Sequence, residues 1–134
     1  MTKKVLIGAT NFSRDCSRAK TILLKNGFDI IENPHQRAYT SSELKAIAAD
    51  VDAVIAGTEL WDAAVLALAH NLKIISRFGV GLDNIDREAA GKRGITVCNA
   101  KGKNASSVAN MAVALMLASL RKIVLFDRTT RQGD

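Results

Sequence analysis

The sequence is poor in proline, cysteine and aromatic residues: its 134 residues include one Pro, two Cys and only 4% Phe, Trp and Tyr. This scarcity argues against an all-β domain and favours an α/β core of Ala, Val, Leu and Ile. Cys16 and Cys98 lie far apart without Cys-x-x-Cys spacing, so the sequence suggests neither a redox pair nor a zinc site. We expect two free, buried thiols, as in a reducing compartment.

Long apolar runs and leader features are also scarce. The longest unbroken apolar run, residues 111–118, is far shorter than the ~18 residues that a membrane span needs. The first residues enter a strand directly, without the apolar core of a signal peptide or the character of a transit peptide. We therefore expect a cytoplasmic protein with no membrane partner.

The positive charge of the chain is not concentrated in one segment. The formal net charge is +6, but Lys and Arg are scattered, and no dense basic run with interleaved aromatic residues occurs. The sequence therefore predicts no nucleic-acid partner.

Short apolar runs alternate with longer amphipathic stretches along the chain. Strands are predicted at residues 4–9, 28–32, 51–56, 72–76 and 95–98, and helices at 13–26, 41–49, 61–70, 84–93 and 104–126. This alternation is typical of parallel strands joined by right-handed crossovers. It predicts an α/β fold with a flavodoxin-like five-stranded parallel sheet, helices on both faces and a long C-terminal apolar helix.

Helix ends are predicted from their capping residues. Ser13 is expected to cap the first helix and Gly27 to close it. Ser41 opens the next helix, but its acid at Glu43 falls one place too early for a capping box. Asp83 is the expected cap of the helix at 84–93.

The helix at 104–126 carries apolar residues on nearly every face. A helix that lies on one sheet needs only an apolar stripe, so an all-round apolar helix must be covered on both sides. In a chain this small, we expect the second cover to come from another domain or another chain.

The segment 74–95 reads as a buried strand, a tight turn at Gly79-Val80-Gly81 and a short helix. Such a turn leaves backbone N–H groups unpaired, which can form an anion site. The pattern is a poor dinucleotide fingerprint, because its third glycine is replaced by Asn84 and the following strand ends in Asn99 instead of an acid. A nicotinamide site at this turn is therefore rejected, and a plain glycine turn before a helix remains the alternative.

Other catalytic patterns are missing. Thr10-Asn11 and Gly57-Thr58 occupy the places where a response regulator needs acids. His35 and His70 have no Cys, His, Asp or Glu at ligand spacing, so no metal site and no catalytic residue are predicted. Two residues keep a binding interpretation: Arg77 can clamp an anionic oxygen, and Asn104 can contact a carbonyl or, more simply, cap its helix.

Three motifs carry a family resemblance. R-x-G-x-G-x-D-N-x-D spans 77–86, A-A-x-x-x-G-I-x-V spans 89–97, and N-x-x-S-V-A begins at Asn104. Together they closely resemble the D-isomer-specific 2-hydroxyacid dehydrogenases, especially the phosphoglycerate-dehydrogenase-like members. The resemblance is strong over about residues 50–133.

The resemblance implies a division of the chain and a function. Residues 1–100 would form a flavodoxin-like substrate-binding domain, and 101–134 a linker helix and the start of a truncated NAD-binding domain. The full-length family uses NAD (or NADP), whereas no cofactor is expected on this chain. The implied role is to bind the carboxylate of a 2-hydroxy or 2-oxo acid through Val80 and Gly81. The implied substrate-binding residues are Arg77, Phe78, Gly79, Val80, Gly81 and Asn104.

The resemblance also implies that this chain lacks the family's catalytic residues. The downstream arginine, glutamate and histidine that perform the chemistry in the family are absent, so the chain alone is predicted to be inactive. Position 110 is Asn110 where the family usually has glutamate, and Gly57 stands where phosphoglycerate-specific members often have arginine. We expect a homodimer or swapped oligomer through the 105–126 helix. The alternative is a standalone flavodoxin-like binding or interaction module that self-associates.

Overall fold

A computed structural model describes residues 2–133 and divides the chain into two compact units between Ala100 and Lys101. The first unit contains five strands and five helices among its described residues, in the order β1 (Lys4–Ile7), α1 (Phe12–Asp15), α2 (Ser17–Lys25), β2 (Asp29–Glu32), α3 (Ser41–Ile47), β3 (Ala53–Ala56), α4 (Ala63–Leu68), β4 (Ile74–Arg77), α5 (Arg87–Lys92) and β5 (Thr96–Asn99). A short 3₁₀ turn, Ala48–Asp50, leads from α3 towards β3. The second unit contains α6 (Ala105–Leu120) and α7 (Ile123–Gln132).

The five strands form one parallel sheet in the order β2-β1-β3-β4-β5. The predicted flavodoxin-like architecture is therefore confirmed. The chain places β2 on one side of β1 and then adds β3, β4 and β5 in turn on the other side. The direction of strand addition therefore reverses between β1 and β3. In such sheets, ligands bind at the carboxyl ends of the strands beside this switch point.

One face of the sheet is fully packed. Side chains of β1, β3 and β4 meet α3, α4 and α5 there, and Leu6, Leu44, Val54, Trp61 and Ile75 are among the buried residues of this cluster. Successive strand residues point to opposite faces, so Leu6 and Val54 enter this core while their neighbours face the other side.

The other face is covered only in part. Ile7, Ala9 and Phe12 form a small core there with partly buried residues of α2, β2 and β3. An apolar groove of about 480 Å³ remains beside β1, β3 and β4, lined by residues that include Val5, Leu23, Phe28, Ile55 and Ile74. Cys98 of β5 is exposed and Cys16 is half-buried. The expectation of two buried thiols was therefore wrong.

Helix ends differ from the sequence predictions at three places. Ser13 lies inside α1, which follows Asn11, and α1 is separated from α2 at Cys16. Thr40 is the N-cap of α3 and forms a true capping box with Glu43, because the cap lies one residue before Ser41, where the sequence analysis placed it. Asp86 caps α5 by accepting the Ala89 N–H, so Asp83 does not cap it.

Gly27 follows α2 with φ +77°, and its N–H donates to the Leu24 carbonyl. The prediction that this glycine closes the helix is confirmed, since a left-handed residue after a helix satisfies its last carbonyls.

The second unit consists of two helices instead of the single predicted helix at 104–126. Lys122 adopts a left-handed conformation (φ 51°) and breaks the run. Neither helix contains a buried residue, and Met111, Leu115, Leu120 and Phe126 are among the exposed apolar side chains. Within residues 2–133 no single helix is long and apolar enough to cross a membrane, and only α6 and α7 taken together, bent by 55°, meet the length and composition criteria.

Candidate functional site

The carboxyl ends of three neighbouring strands meet at a cavity of about 370 Å³. The ends of β1 and β3 supply backbone from Gly8–Asn11 and Gly57–Thr58, and the end of β4 supplies Arg77 and Phe78. Arg37 and Ala38, between β2 and α3, complete the lining. The cavity thus lies at the switch point of the sheet, where parallel α/β folds bind their ligands.

The predicted glycine turn directly follows β4. Gly79 has φ +152°, which favours glycine, and its N–H donates to the Arg77 carbonyl at 2.9 Å. The Gly79 carbonyl accepts the Ala100 N–H at 2.9 Å, and the Val80 carbonyl accepts Asn99 Nδ2 at 2.6 Å. Within residues 2–133, the Val80 and Gly81 N–H groups donate to no acceptor. The turn is therefore held by its carbonyls while two adjacent donors stay available.

Arg77 is half-buried beside this turn. Its Nη1 donates to the Phe78 carbonyl, and its buried Nε has no partner. A Cβ on Gly79 would lie 2.7 Å from Arg77 Nη1, so the glycine also makes room for the guanidinium. Among the described residues no carboxylate forms an ion pair with Arg77. Its positive charge is therefore uncompensated at the cavity.

Phe78 presents an apolar surface next to these donors. Its ring is 42% exposed and meets Phe12 edge to face, with 5.6 Å between the ring centroids. Its N–H donates to the Ala56 carbonyl at 2.8 Å, which attaches the start of the turn to the end of β3.

The second arginine of the cavity is already paired. Both terminal nitrogens of Arg37 donate to the Glu43 carboxylate, at 2.9 and 2.8 Å. These hydrogen bonds, with those from Thr40, hold the pKa of Glu43 far below its usual value. Arg37 therefore offers less attraction to an incoming anion than the unpaired Arg77.

Sequence reasoning missed Glu59, which is 1% exposed beneath this edge of the sheet. The Gly57 N–H donates to both carboxylate oxygens, at 2.9 and 3.0 Å, and Trp61 Nε1 donates to Oε1 at 3.3 Å. The only sequence signal is an acid two residues before the single tryptophan, next to a buried strand. That signal does not reveal burial, because the residues around Glu59 come from distant parts of the chain.

Asn84, the residue that spoils the dinucleotide pattern, has a structural role. Its Nδ2 donates to the Gly57 carbonyl at 3.1 Å and to the Glu59 carbonyl at 2.7 Å. The next helix begins only at Arg87, behind the Asp86 cap. A dinucleotide loop needs a helix N-terminus directly after the glycines. The residues around Gly79–Gly81 therefore do not fit NAD.

The remaining candidates lie elsewhere. Asn104 occupies the N-cap position of α6 in the second unit, but its side chain accepts no capping hydrogen bond, which corrects the simple capping interpretation. His35 Nε2 lies 3.3 Å from Glu43, and its ring meets Tyr39 edge to face. Residues 2–133 contain no group of three His, Cys, Asp or Glu side chains that could hold a metal.

Comparisons with known proteins agree with the motifs. Residues 10–129 match the family model of the D-isomer specific 2-hydroxyacid dehydrogenase catalytic domain. A D-3-phosphoglycerate dehydrogenase of Archaeoglobus fulgidus is 57% identical over 54% of this chain and 14% of its own length. A hydroxypyruvate reductase of Thermotoga maritima is 36% identical over 81% of this chain and 38% of its own length.

Solved structures agree as well. An NAD⁺-bound 3-phosphoglycerate dehydrogenase of Entamoeba histolytica superposes with a TM-score of 0.78 at 26% identity, over 91% of this chain and 40% of that chain. The chain thus spans less than half the length of each of these relatives. With its parallel sheet, its glycine turn and a family match over most of its length, the chain belongs to the D-isomer-specific 2-hydroxyacid dehydrogenase family.

Proposed function

We propose that this chain is the substrate-binding part of an NAD-dependent D-2-hydroxyacid dehydrogenase and holds the carboxylate of a 2-hydroxy or 2-oxo acid. The observation that carries the proposal is the pair of uncommitted N–H groups at Val80 and Gly81 beside Arg77, which forms no ion pair among the described residues. Backbone N–H groups in a turn bind anions without a charged side chain. An adjacent guanidinium strengthens such binding through charge-assisted hydrogen bonds.

The same geometry supports a division of labour within the ligand. The Val80 and Gly81 amides take the carboxylate, and Arg77 takes a second acidic group where the ligand has one. Phe78 contacts the carbon skeleton with its exposed ring face. The role of Asn104 in contacting the substrate stays a prediction.

Phosphoglycerate is not the favoured substrate. Gly57, where phosphoglycerate-specific members often carry arginine, has no room for any side chain, since a Cβ would lie 2.8 Å from both Ala9 Cα and Glu59 Oε2. An arginine at this position, as phosphoglycerate-specific members often have, is therefore excluded while Ala9 and Glu59 keep their places.

Hydride transfer is assigned to a part of the protein beyond this chain. The glycine turn does not fit NAD, and we propose that a separate domain of a longer cytoplasmic enzyme holds the nicotinamide. The chain by itself should bind a 2-hydroxy acid without oxidising it.

Binding and turnover test the proposal separately. D-lactate added to the ¹⁵N-labelled chain should shift the amide signals of Val80 and Gly81 in a saturable way, whereas L-alaninamide, which lacks the carboxylate, should not. Unmoved turn amides at high D-lactate concentration would refute the carboxylate site. NADH oxidation with pyruvate above contaminant level would refute the claim that the chain is inactive alone.

A second candidate function rests on the exposed apolar side chains of α6 and α7, which include Met116 and Leu120. Under it the chain is a self-associating interaction module, either a homodimer or a swapped oligomer. Light scattering after size exclusion should then show an oligomer, and Leu120→Asp should shift it towards monomer. A wild-type monomer at high concentration would exclude this candidate.

A further inference from the structure

The buried carboxylate of Glu59 is the most unusual polar group in the first unit. Glu59 is 1% exposed, whereas charged side chains are rarely buried without partners because they lose their hydration. Its donors are the Gly57 N–H, shared between both oxygens, and the indole N–H of Trp61. A buried acid with defined donors rigidifies the backbone that supplies them.

Two glycines lie so close to this carboxylate that neither position has room for a side chain. A Cβ on Gly8 would lie 2.0 Å from Glu59 Oε1, and a Cβ on Gly57 would lie 2.8 Å from Oε2. Real Cβ atoms do not approach so closely, so both positions must lack a side chain while Glu59 keeps its place. Glu59 therefore fixes the ends of β1 and β3 by contact as well as by hydrogen bonding.

The hydrogen bonds continue from Glu59 towards the glycine turn. Asn84 Nδ2 bonds the carbonyls of Gly57 and Glu59, and the Asn84 carbonyl accepts the Trp61 N–H at 2.8 Å. Asn84 stands three residues after Gly81. On the other side, the Phe78 N–H is bonded to Ala56, directly before Gly57. The segment that contains the turn is therefore tied at both ends to the backbone around Gly57.

We propose that Glu59 is a positioning residue for substrate binding: its carboxylate holds Gly57 and Trp61, and through Asn84 it sets the direction of the Val80 and Gly81 N–H groups. This inference rests on the proposed carboxylate site. Glu59 itself touches no substrate, because it lies beneath the backbone that lines the cavity.

The variant Glu59→Gln tests this role with little change in volume. Both oxygens of Glu59 face the Gly57 N–H, so an amide NH₂ at either position meets a donor and loses a hydrogen bond. The affinity for D-malate, a 2-hydroxy acid with two carboxylates, should fall roughly tenfold, as expected for one lost hydrogen bond to a charged group. The matched control is Glu88→Gln, which removes the same charge from an exposed position on α5 and should leave the affinity unchanged.

Nuclear magnetic resonance separates positioning from mere stability. The chain has a single tryptophan, so one indole N–H signal reports on the Glu59–Trp61 bond. In ligand-free Glu59→Gln, at a temperature where the variant is folded, the indole signal and the Val80 and Gly81 amide signals should all move. A lower melting temperature with unchanged turn amides and unchanged D-malate affinity would overturn the inference.

Two further outcomes are distinguishable. If the wild-type chain binds neither D-malate nor D-lactate, the proposed function fails, while the ligand-free turn amides still decide whether Glu59 positions them. If Glu59→Gln does not fold, Asn84→Ala cuts the same connection without altering the buried carboxylate. Asn84→Ala should then move the Val80 and Gly81 amides and weaken D-malate binding, and unchanged values of both would overturn the inference.

Discussion

The candidate site has two layers of opposite character. The lower layer, here named the floor, consists of Gly8, Gly57, Glu59, Trp61 and Asn84. The upper layer, named the rim, consists of Arg77, Phe78, Gly79, Val80 and Gly81. In the floor, the side-chain polar groups are bonded, and Trp61 and Glu59 are at most 1% exposed. In the rim, the Val80 and Gly81 N–H groups have no protein acceptor among the described residues, and Arg77 has an unbonded Nε and no carboxylate partner there.

The difference shows how a small domain can keep polar donors unbonded at its surface while the polar side chains beneath them are hydrogen-bonded. The unbonded N–H groups of Val80 and Gly81 are tolerated because both residues are exposed to solvent, whereas the buried Nε of Arg77 is an unsatisfied donor that costs free energy. The floor supplies the rigidity that keeps those donors directed outward. Substitutions in the floor should therefore act mainly on stability, and substitutions in the rim mainly on binding.

The largest effect is expected from Trp61→Ala in the floor. Trp61 is fully buried, so its removal should lower the free energy of unfolding by about 3–5 kcal/mol, the usual cost of an aromatic-to-alanine change in a core. Urea unfolding followed by circular dichroism measures this. The neighbouring Leu60→Ala, at a side chain that is 51% exposed, is the control and should cost little. Similar losses from both variants would contradict the distinction between buried floor and exposed surface.

A smaller effect, confined to the floor, is expected from Gly8→Ala. Its new Cβ collides with the Glu59 carboxylate, so the free energy of unfolding should fall by roughly 1–3 kcal/mol, as in other overpacked sites. In a Glu59→Ala background the collision is gone, and the same change should cost clearly less. Gly91→Ala, where a Cβ has open space, is the control. Equal losses of unfolding free energy in both backgrounds would show that the Glu59 carboxylate is not the reason why position 8 needs glycine.

In the rim, Arg77→Gln should change binding and leave stability nearly unaltered. The affinity for D-malate should fall roughly tenfold through the loss of a charge-assisted contact, whereas the affinity for D-lactate, which has one carboxylate, should change little. Titration calorimetry measures both ligands. Arg87→Gln, at an exposed position of α5, is the matched control for charge. An equal loss of affinity for both ligands would show that Arg77 contacts the carboxylate that D-lactate and D-malate share, and not the second carboxylate of D-malate.

The smallest effect concerns Glu43, which keeps the second arginine of the cavity occupied. Because Arg37 lowers the pKa of Glu43 in the folded chain, the stabilising contribution is present above the ordinary pKa of 4.5 and is lost as the pH falls through the lowered value. Glu43→Gln preserves the capping box with Thr40 and removes the charge. Its melting temperature should lie slightly below the wild-type value at pH 7, and the gap should close in acid. A gap that persists unchanged at low pH would exclude the ion pair as its cause.

Much of the fold could be predicted from local patterns, and the errors have local causes. The alternation of strands and helices indicated the parallel sheet, and Gly27 marked a helix end through its backbone freedom. The capping box of Thr40 and Glu43 was present in the sequence, but the prediction started the helix from Ser41, one residue after the true cap. The break at Lys122 could not be predicted, because neither glycine nor proline marks it.

Of the candidate site, only the rim could be proposed from the sequence. Arg77 and the glycine turn form a contiguous motif, so their neighbourhood follows from sequence order. Glu59 was missed because its donors and close neighbours, Gly8, Gly57 and Trp61, are assembled from the ends of two strands and the segment that follows. Asn84 was noticed as a missing glycine, and only its hydrogen bonds reveal why an amide stands there.

By itself, the sequence determined the strand and helix pattern and the glycine turn after β4, because both depend on residues close together along the chain. Tertiary structure alone decided that Glu59 is buried, that Gly57 excludes a larger side chain and that Cys98 is exposed. The physical reason is that burial and hydrogen-bond partners at these positions depend on which strands the crossovers bring side by side.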